Sequence, residues 1–322
     1  MTNAQISKRR SPALVSSFGY SVFVIDLSFE FRHSSLSSMF NALAKNPALL
    51  HGLPTAISLA IACAILSVLV VSRRWAFIGE GISHSGFGGA GTAWILALLF
   101  PGFDQPWVPY VCVVVFCLLT ALAIGFLSDR QRVNSDAAIG IFMVVALAWG
   151  FLARQIFVAY KHAEPAGFDT FLFGEMGALS AQYAISAVML SAAVVLVVAA
   201  LAKEILYYCF DPVMAAASGV RAGFIHYLLM LLLAVMIVLG VRVVGSVLVT
   251  ALLVLPGATA LLLSQKLRTV LTVAIITAVI GAAAGVLLSA GCRFIPAGPA
   301  IVLVLFAEFI ACYAASRFRG AV

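Results

Sequence analysis

Residues 223–264 read GFIHYLLMLLLAVMIVLGVRVVGSVLVTALLVLPGATALLLS, with Arg242 the one Lys, Arg, Asp or Glu among them. A helix crossing the hydrocarbon of a bilayer needs about 20 mostly apolar residues, because lipid offers no partner to backbone N–H and C=O groups. The run holds two such helices, over 223–241 and 243–264, with the break near Arg242; a single helix bent at Gly240 and Gly245 is the other reading. Leu, Val, Ala and Ile follow one another without the period-two alternation of a membrane barrel strand. The fold class is therefore all-α, a polytopic transmembrane helical bundle.

The same texture continues in both directions. Further spans are expected near 53–72, 77–100, 107–128, 136–160, 177–202, 269–290 and 299–316, which makes nine in all, or eight if the bent helix holds. Across all 322 residues, 64% are hydrophobic and 10% charged, where a soluble domain carries roughly 25% charged residues. Residues 51–322 read as one transmembrane domain. Residues 1–50 read as an N-terminal extension or a membrane-surface segment, since 11–31 is broken by Asp26, Glu30 and serines and has no small-residue cleavage site. Translation starting at Met39 is an alternative.

The net charge of +7 is unevenly spread. Arg73, Arg74, Arg130, Arg132, Lys203, Arg221, Lys266, Arg268, Arg317 and Arg319 fall at one set of span ends, and Arg154, Lys161, Arg242 and Arg293 at the other. The positive-inside tendency puts the first set and the C-terminus in the cytoplasm. The six cysteines form no C-x-x-C pair and read as small apolar fillers.

One span is unlike the rest. Residues 77–91, FIGEGISHSGFGGAG, carry Glu80 and His84 at i and i+4, on one face of a helix about one turn apart. Carboxylate with imidazole suits zinc, manganese or iron rather than a softer ion. The glycines remove bulk and permit close approach of a neighbouring helix, so Gly86, Gly88 and Gly89 are candidates for contact with a second copy of the chain. A two-fold axis would then bring four ligands together. The plainer alternative has Glu80 paired with Arg73 or Arg74 and His84 merely hydrogen-bonded. Elsewhere, His226 is expected at a helix N-terminus or headgroup, and His162, Glu164 and Glu175 in solvated outer loops. Glu308 should face the bundle interior or a subunit contact.

No G-x-x-x-x-G-K-[ST] occurs, so the chain carries no nucleotide-binding engine of its own and is not read as an enzyme. Residues 207–223, YYCFDPVMAAASGVRAG, offer a handle for one on another chain: Asp211 caps a helix beginning at Pro212, Ala215 to Ala217 continue it, and Gly219 ends it. Asp211, Pro212, Ala215 and Gly219 are thus candidate ATPase-docking residues. An ordinary connecting helix on the membrane surface is the competing reading.

These stretches, taken in order, resemble a known family. RRWAFIGEGISHSGFGG (73–89), SDAAIGIF (135–142), FDTFLFGEMGALS (168–180), FDPVMAAASGV (210–220), VRVVGSVLVTALLVLPGATALLLS (241–264) and IPAGPAIVLV (295–304) are similar to the membrane permeases of ATP-binding-cassette importers for zinc, manganese or iron(II). The likeness covers about residues 50–316. It implies a permease subunit of the bacterial cytoplasmic membrane, working as a two-fold dimer with an identical or related second permease subunit. The other implied partners are an ABC ATPase subunit, an extracytoplasmic metal-binding protein and membrane lipid, with no nucleic acid. No cofactor is held permanently: the metal ion is cargo, and ATP belongs to the partner subunit. Glu80 and His84 occupy the place of the family's metal-contacting carboxylate and histidine, although the usual aspartate is here a glutamate. Some zinc-importing relatives have a histidine after the Gly-Ile of the fourth span; GIFMVVALAWG (140–150) lacks it, which points away from strict zinc use. Two alternatives are a permease for a metal chelate or cobalamin, and an intramembrane metal-dependent enzyme, for which no H-E-x-x-H is present.

Overall fold

A computed structural model describes residues 47–103, 105, 107–129, 134–165, 181–291 and 296–319, and all the regular structure among them is helical. The N-terminal extension up to residue 46 and Glu175 lie outside the described residues. The helices are α1 Pro47–Ser72, α2 Ile78–Leu99, α3 Val108–Asp129, α4 Ser135–Lys161, α5 Ala181–Ala200, α6 Ala202–Phe210, α7 Pro212–Ala217, α8 Ala222–Val244, α9 Ser246–Leu263, α10 Leu267–Gly291 and α11 Ala297–Arg319. Eight of them are long and apolar enough to cross a membrane, α2, α6 and α7 being the exceptions among the described helices.

Helix α2 has the length of a span, 22 residues, or about 33 Å at 1.5 Å per residue. Its glycines, serines, Glu80 and His84 keep it below the apolarity of its neighbours. It does not need that apolarity, because α3 and α4 pack along it and α8 and α9 also touch it. A helix screened from lipid by protein can carry polar groups that a lipid-facing one cannot.

A second group forms around α1, which packs on α5, α9 and α10, with α11 lying against α9 and α10. Helix α8 touches α1, α2, α3 and α9 and so bridges the two groups. Leu59, Leu66, Ile78, Ile82, Leu229, Leu233 and Ile237 are fully buried where they meet. Between helices in lipid the hydrophobic effect is weak, so close fit and dispersion carry the association. Gly257 of α9 illustrates this: a Cβ there would stand 2.6 Å from Ser67 Oγ and 2.7 Å from the Ser67 backbone on α1. Pro256 interrupts the α9 ladder, and the Gly257 N–H donates to Ser67 Oγ at 2.9 Å.

The apolar run 223–264 is two helices. They meet at Gly245, whose φ of 93° and ψ of 162° lie in a region essentially confined to glycine. Arg242, near the end of α8, is held between the rings of Tyr110 and Tyr183, 3.8 Å from each centroid. Stacking of this kind is how a guanidinium is tolerated at the end of an apolar helix.

Candidate functional site

The chain turns from α1 into α2 through a tight cap. Arg74 N–H donates to Val71 O at 3.1 Å and Trp75 N–H to Val70 O at 2.9 Å, the two bonds of a Schellman motif. Its left-handed position is filled by Arg74, with φ 58°, where glycine is the usual occupant. Trp75 is then buried, and α2 begins three residues later.

On the second turn of α2, His84 Nε2 lies 3.2 Å from Glu80 Oε2, with the imidazole 28% and the carboxylate 43% exposed. The acid and the imidazole therefore share one face and pair with each other, and both are partly exposed on the surface of the single chain. This answers the plainer reading of Glu80: its partner is His84, while Arg73 is turned to Tyr208. Among the described residues no group of three His, Cys, Asp or Glu side chains converges, so here the pair offers two candidate donors from one chain. Such an arrangement can hold a divalent cation only together with water or another chain's ligands.

The glycines do a different job from the one expected. Gly86, Gly88 and Gly89 are all buried within the single chain. A Cβ on Gly88 would stand 3.1 Å from Ala146 O on α4, and one on Gly89 2.7 Å from Val113 Cα on α3. Gly91 meets the Cα of Gly150 on α4 in the same way, at 2.9 Å. The subunit-contact reading of Gly88 and Gly89 is corrected: their missing bulk is taken up by α3 and α4. Gly79, one residue before Glu80, rests on Thr250 and Leu253 of α9.

The loop between α5 and α8 folds as its residues suggest. Asp211 Oδ1 accepts from Val213 N–H at 2.9 Å and Met214 N–H at 3.0 Å, with Pro212 at the first helical position. At the other end Gly219, at φ 86°, allows Val220 N–H to reach Ala215 O and Gly219 N–H to reach Ala216 O. Ala215 is buried, whereas Val213 is 76% and Met214 58% exposed. The outward surface of α7 thus belongs to Val213 and Met214, and the large side chains of Tyr207, Phe210 and Phe224 are exposed nearby in sequence.

Four other residues named from sequence take definite places. His226 is buried near the N-terminus of α8, so of its two readings the headgroup falls and the helix N-terminus stands; it is edge-on to Trp75, 5.4 Å between centroids. Glu164 pairs with Arg154, and His162 ends α4 in the left-handed conformation. Glu308 has both carboxylate oxygens covered by protein, with no hydrogen-bond partner for either among the described residues.

Residues 45–316 match the ABC 3 transport family. The chain is 34% identical over 289 residues to the manganese transport system membrane protein MntC of Halalkalibacterium halodurans, spanning 89% of this chain and 94% of that protein. It is 31% identical over 275 residues to a "Probable iron transport system membrane protein" of Haemophilus influenzae, spanning 84% and 94%. The solved structure of PsaBC from Streptococcus pneumoniae in complex with Fab is similar at a TM-score of 0.71 and 27% identity, covering 87% of this chain and 95% of that one.

Proposed function

The chain belongs to the ABC 3 transport family, and on that premise we propose that it is the permease of an importer that moves manganese(II) or iron(II) into the cytoplasm. It is a multi-pass membrane subunit, and ATP hydrolysis belongs to a separate chain. The single observation that carries the cargo reading is the Glu80–His84 pair on the shielded helix α2. Oxygen and imidazole donors suit manganese(II) and iron(II). Two ligands without a closed cage suit passage, since a complete coordination sphere would retain the ion.

Two copies related by a two-fold axis would bring two such pairs to one pathway and form the functional permease. The ATPase docks on α7, through the exposed Val213 and Met214 held at a fixed angle by the Asp211 cap and the Gly219 turn. An external binding protein delivers the ion at the opposite face. The experiment is uptake of manganese(II) into proteoliposomes containing the permease, its ATPase and its binding protein. Uptake that requires both ATP and the binding protein supports the proposal; uptake without either removes it.

A further inference from the structure

We propose that Tyr208 and His226 are positioning residues for transport, forming with Arg73 a polar strap that ties the α7 docking segment to the turn from which α2, and with it Glu80 and His84, begins. The inference rests on the reading of α7 as the ATPase surface and of Glu80 and His84 as the cargo contact.

The strap runs through four separate parts of the fold. Arg73, in the α1–α2 turn, donates from a terminal guanidinium nitrogen to the Tyr208 hydroxyl at 3.2 Å and from the other to the Tyr208 backbone oxygen at 3.5 Å. Tyr208, on α6, meets His226 Nδ1 of α8 at 2.8 Å. His226 Nε2 lies 3.0 Å from Gly125 O of α3. The carbonyl can only accept, so Nε2 carries the proton; Nδ1 of a neutral imidazole is then the acceptor and the tyrosine hydroxyl its donor. Each bond hands its direction to the next: Arg73 to Tyr208, Tyr208 to His226, His226 to Gly125. The rings reinforce the order, with the Arg73 guanidinium 4.6 Å from the Tyr208 centroid and 5.3 Å from that of Trp75.

Burial alone would explain a histidine satisfied by two partners. What goes further is where the strap is anchored. Tyr208 stands three residues before Asp211, the cap of α7, and Arg73 immediately precedes Arg74, a bulky residue in the left-handed region. A non-glycine residue there is strained and persists only where its surroundings over-determine it. Here the surroundings are the two cap bonds and the hold of Tyr208 on Arg73. A shift of α7 by the ATPase would pull on Tyr208, and through it on the one turn that sets the start of α2. This is the kind of two-state element through which a remote site biases another.

The test uses the permease with its ATPase and binding protein in proteoliposomes, with manganese(II) uptake and ATP hydrolysis read on the same vesicles. Tyr208→Phe keeps the ring over Arg73 and loses only the hydroxyl; His226→Phe keeps an aromatic face against Trp75 and loses both bonds. Each should lower uptake per ATP by about fivefold or more, the lower end of typical coupling between sites, and the double variant should be no worse than the worse single one, since both cut the same chain. An unchanged ratio in both, a parallel fall of uptake and hydrolysis, or multiplying defects overturns the inference. Val213→Cys crosslinking to the ATPase, and uptake by Glu80→Gln, run beside it. A missing crosslink, or wild-type uptake in Glu80→Gln, removes the functional reading and the inference together; a crosslink and impaired Glu80→Gln uptake with intact coupling in both Phe variants removes the inference alone.

Discussion

Glu80 and His84 hold each other across one turn of α2, carboxylate oxygen to imidazole nitrogen at 3.2 Å, in a helix otherwise occupied with packing against α3 and α4. In the proposed role, a cation bound by both groups would replace that contact, taking an electron pair from each, and the pair would close again when the ion leaves, so that neither group is left unpaired.

The α7 cap separates charge from geometry. Asp211→Asn keeps an acceptor for Val213 and Met214 N–H, so ATPase co-purification and coupled uptake should stay near wild type. Asp211→Ala loses the cap, about 1 kcal/mol, and should weaken co-purification while the permease still inserts. Equal behaviour of the two variants would mean that the cap does not set the docking surface.

Gly219 tests the other end of that helix. Its φ of 86° makes Gly219→Val costly by about 1–2 kcal/mol, although the space around it is open. The expected result is loss of ATPase stimulation with unchanged thermal stability of the transmembrane bundle. A fall in bundle stability would place the residue's role in folding.

Gly257→Ala should act on the bundle itself. Its Cβ would press on Ser67 of α1, and overpacking of this kind costs about 1–3 kcal/mol. Thermal unfolding in detergent should drop by several degrees. Wild-type stability in Gly257→Ala would show that α1 and α9 are not in the close contact described.

Much of this was legible in the sequence, for identifiable reasons. Apolar runs mark helices able to cross a membrane, and the i, i+4 spacing of Glu80 and His84 defines a shared face whatever surrounds it. The α7 segment was readable because Asp-Pro and Gly are local signals that need no tertiary partner. The partners of the α2 glycines were not readable: a glycine announces a close approach without naming the helix that approaches, and α3 and α4 come later in the chain. The burial of His226 was unreadable for the same reason. Its partners Tyr208 and Gly125 are 18 and 101 residues away, and nothing in periodicity brings α3 and α6 to the start of α8. Val213 and Met214 were passed over because the short helix has too few residues to reveal which side is buried.

Orientation is open to labelling in a cysteine-free background. Single cysteines near Lys266 should react only from the cytoplasmic side, and those at Glu164 and Ala297 only from outside, as the distribution of Lys and Arg requires. Reaction of a cysteine at Lys266 from outside would invert the path proposed for the ion.

The proposed contact of Glu80 and His84 with the cargo is read most directly from uptake of manganese(II) and iron(II) by variants of this pair in the full proteoliposome system, with membrane expression matched. Glu80→Gln and His84→Ala should each cut uptake by about tenfold or more, equivalent to about 1.4 kcal/mol, and the double variant should add little because either change already breaks the same site. Glu80→Asp keeps the charge one methylene shorter and should retain transport with an altered preference between the two ions. Wild-type uptake of both ions in Glu80→Gln and His84→Ala would contradict the account and leave the pair as an internal contact of α2.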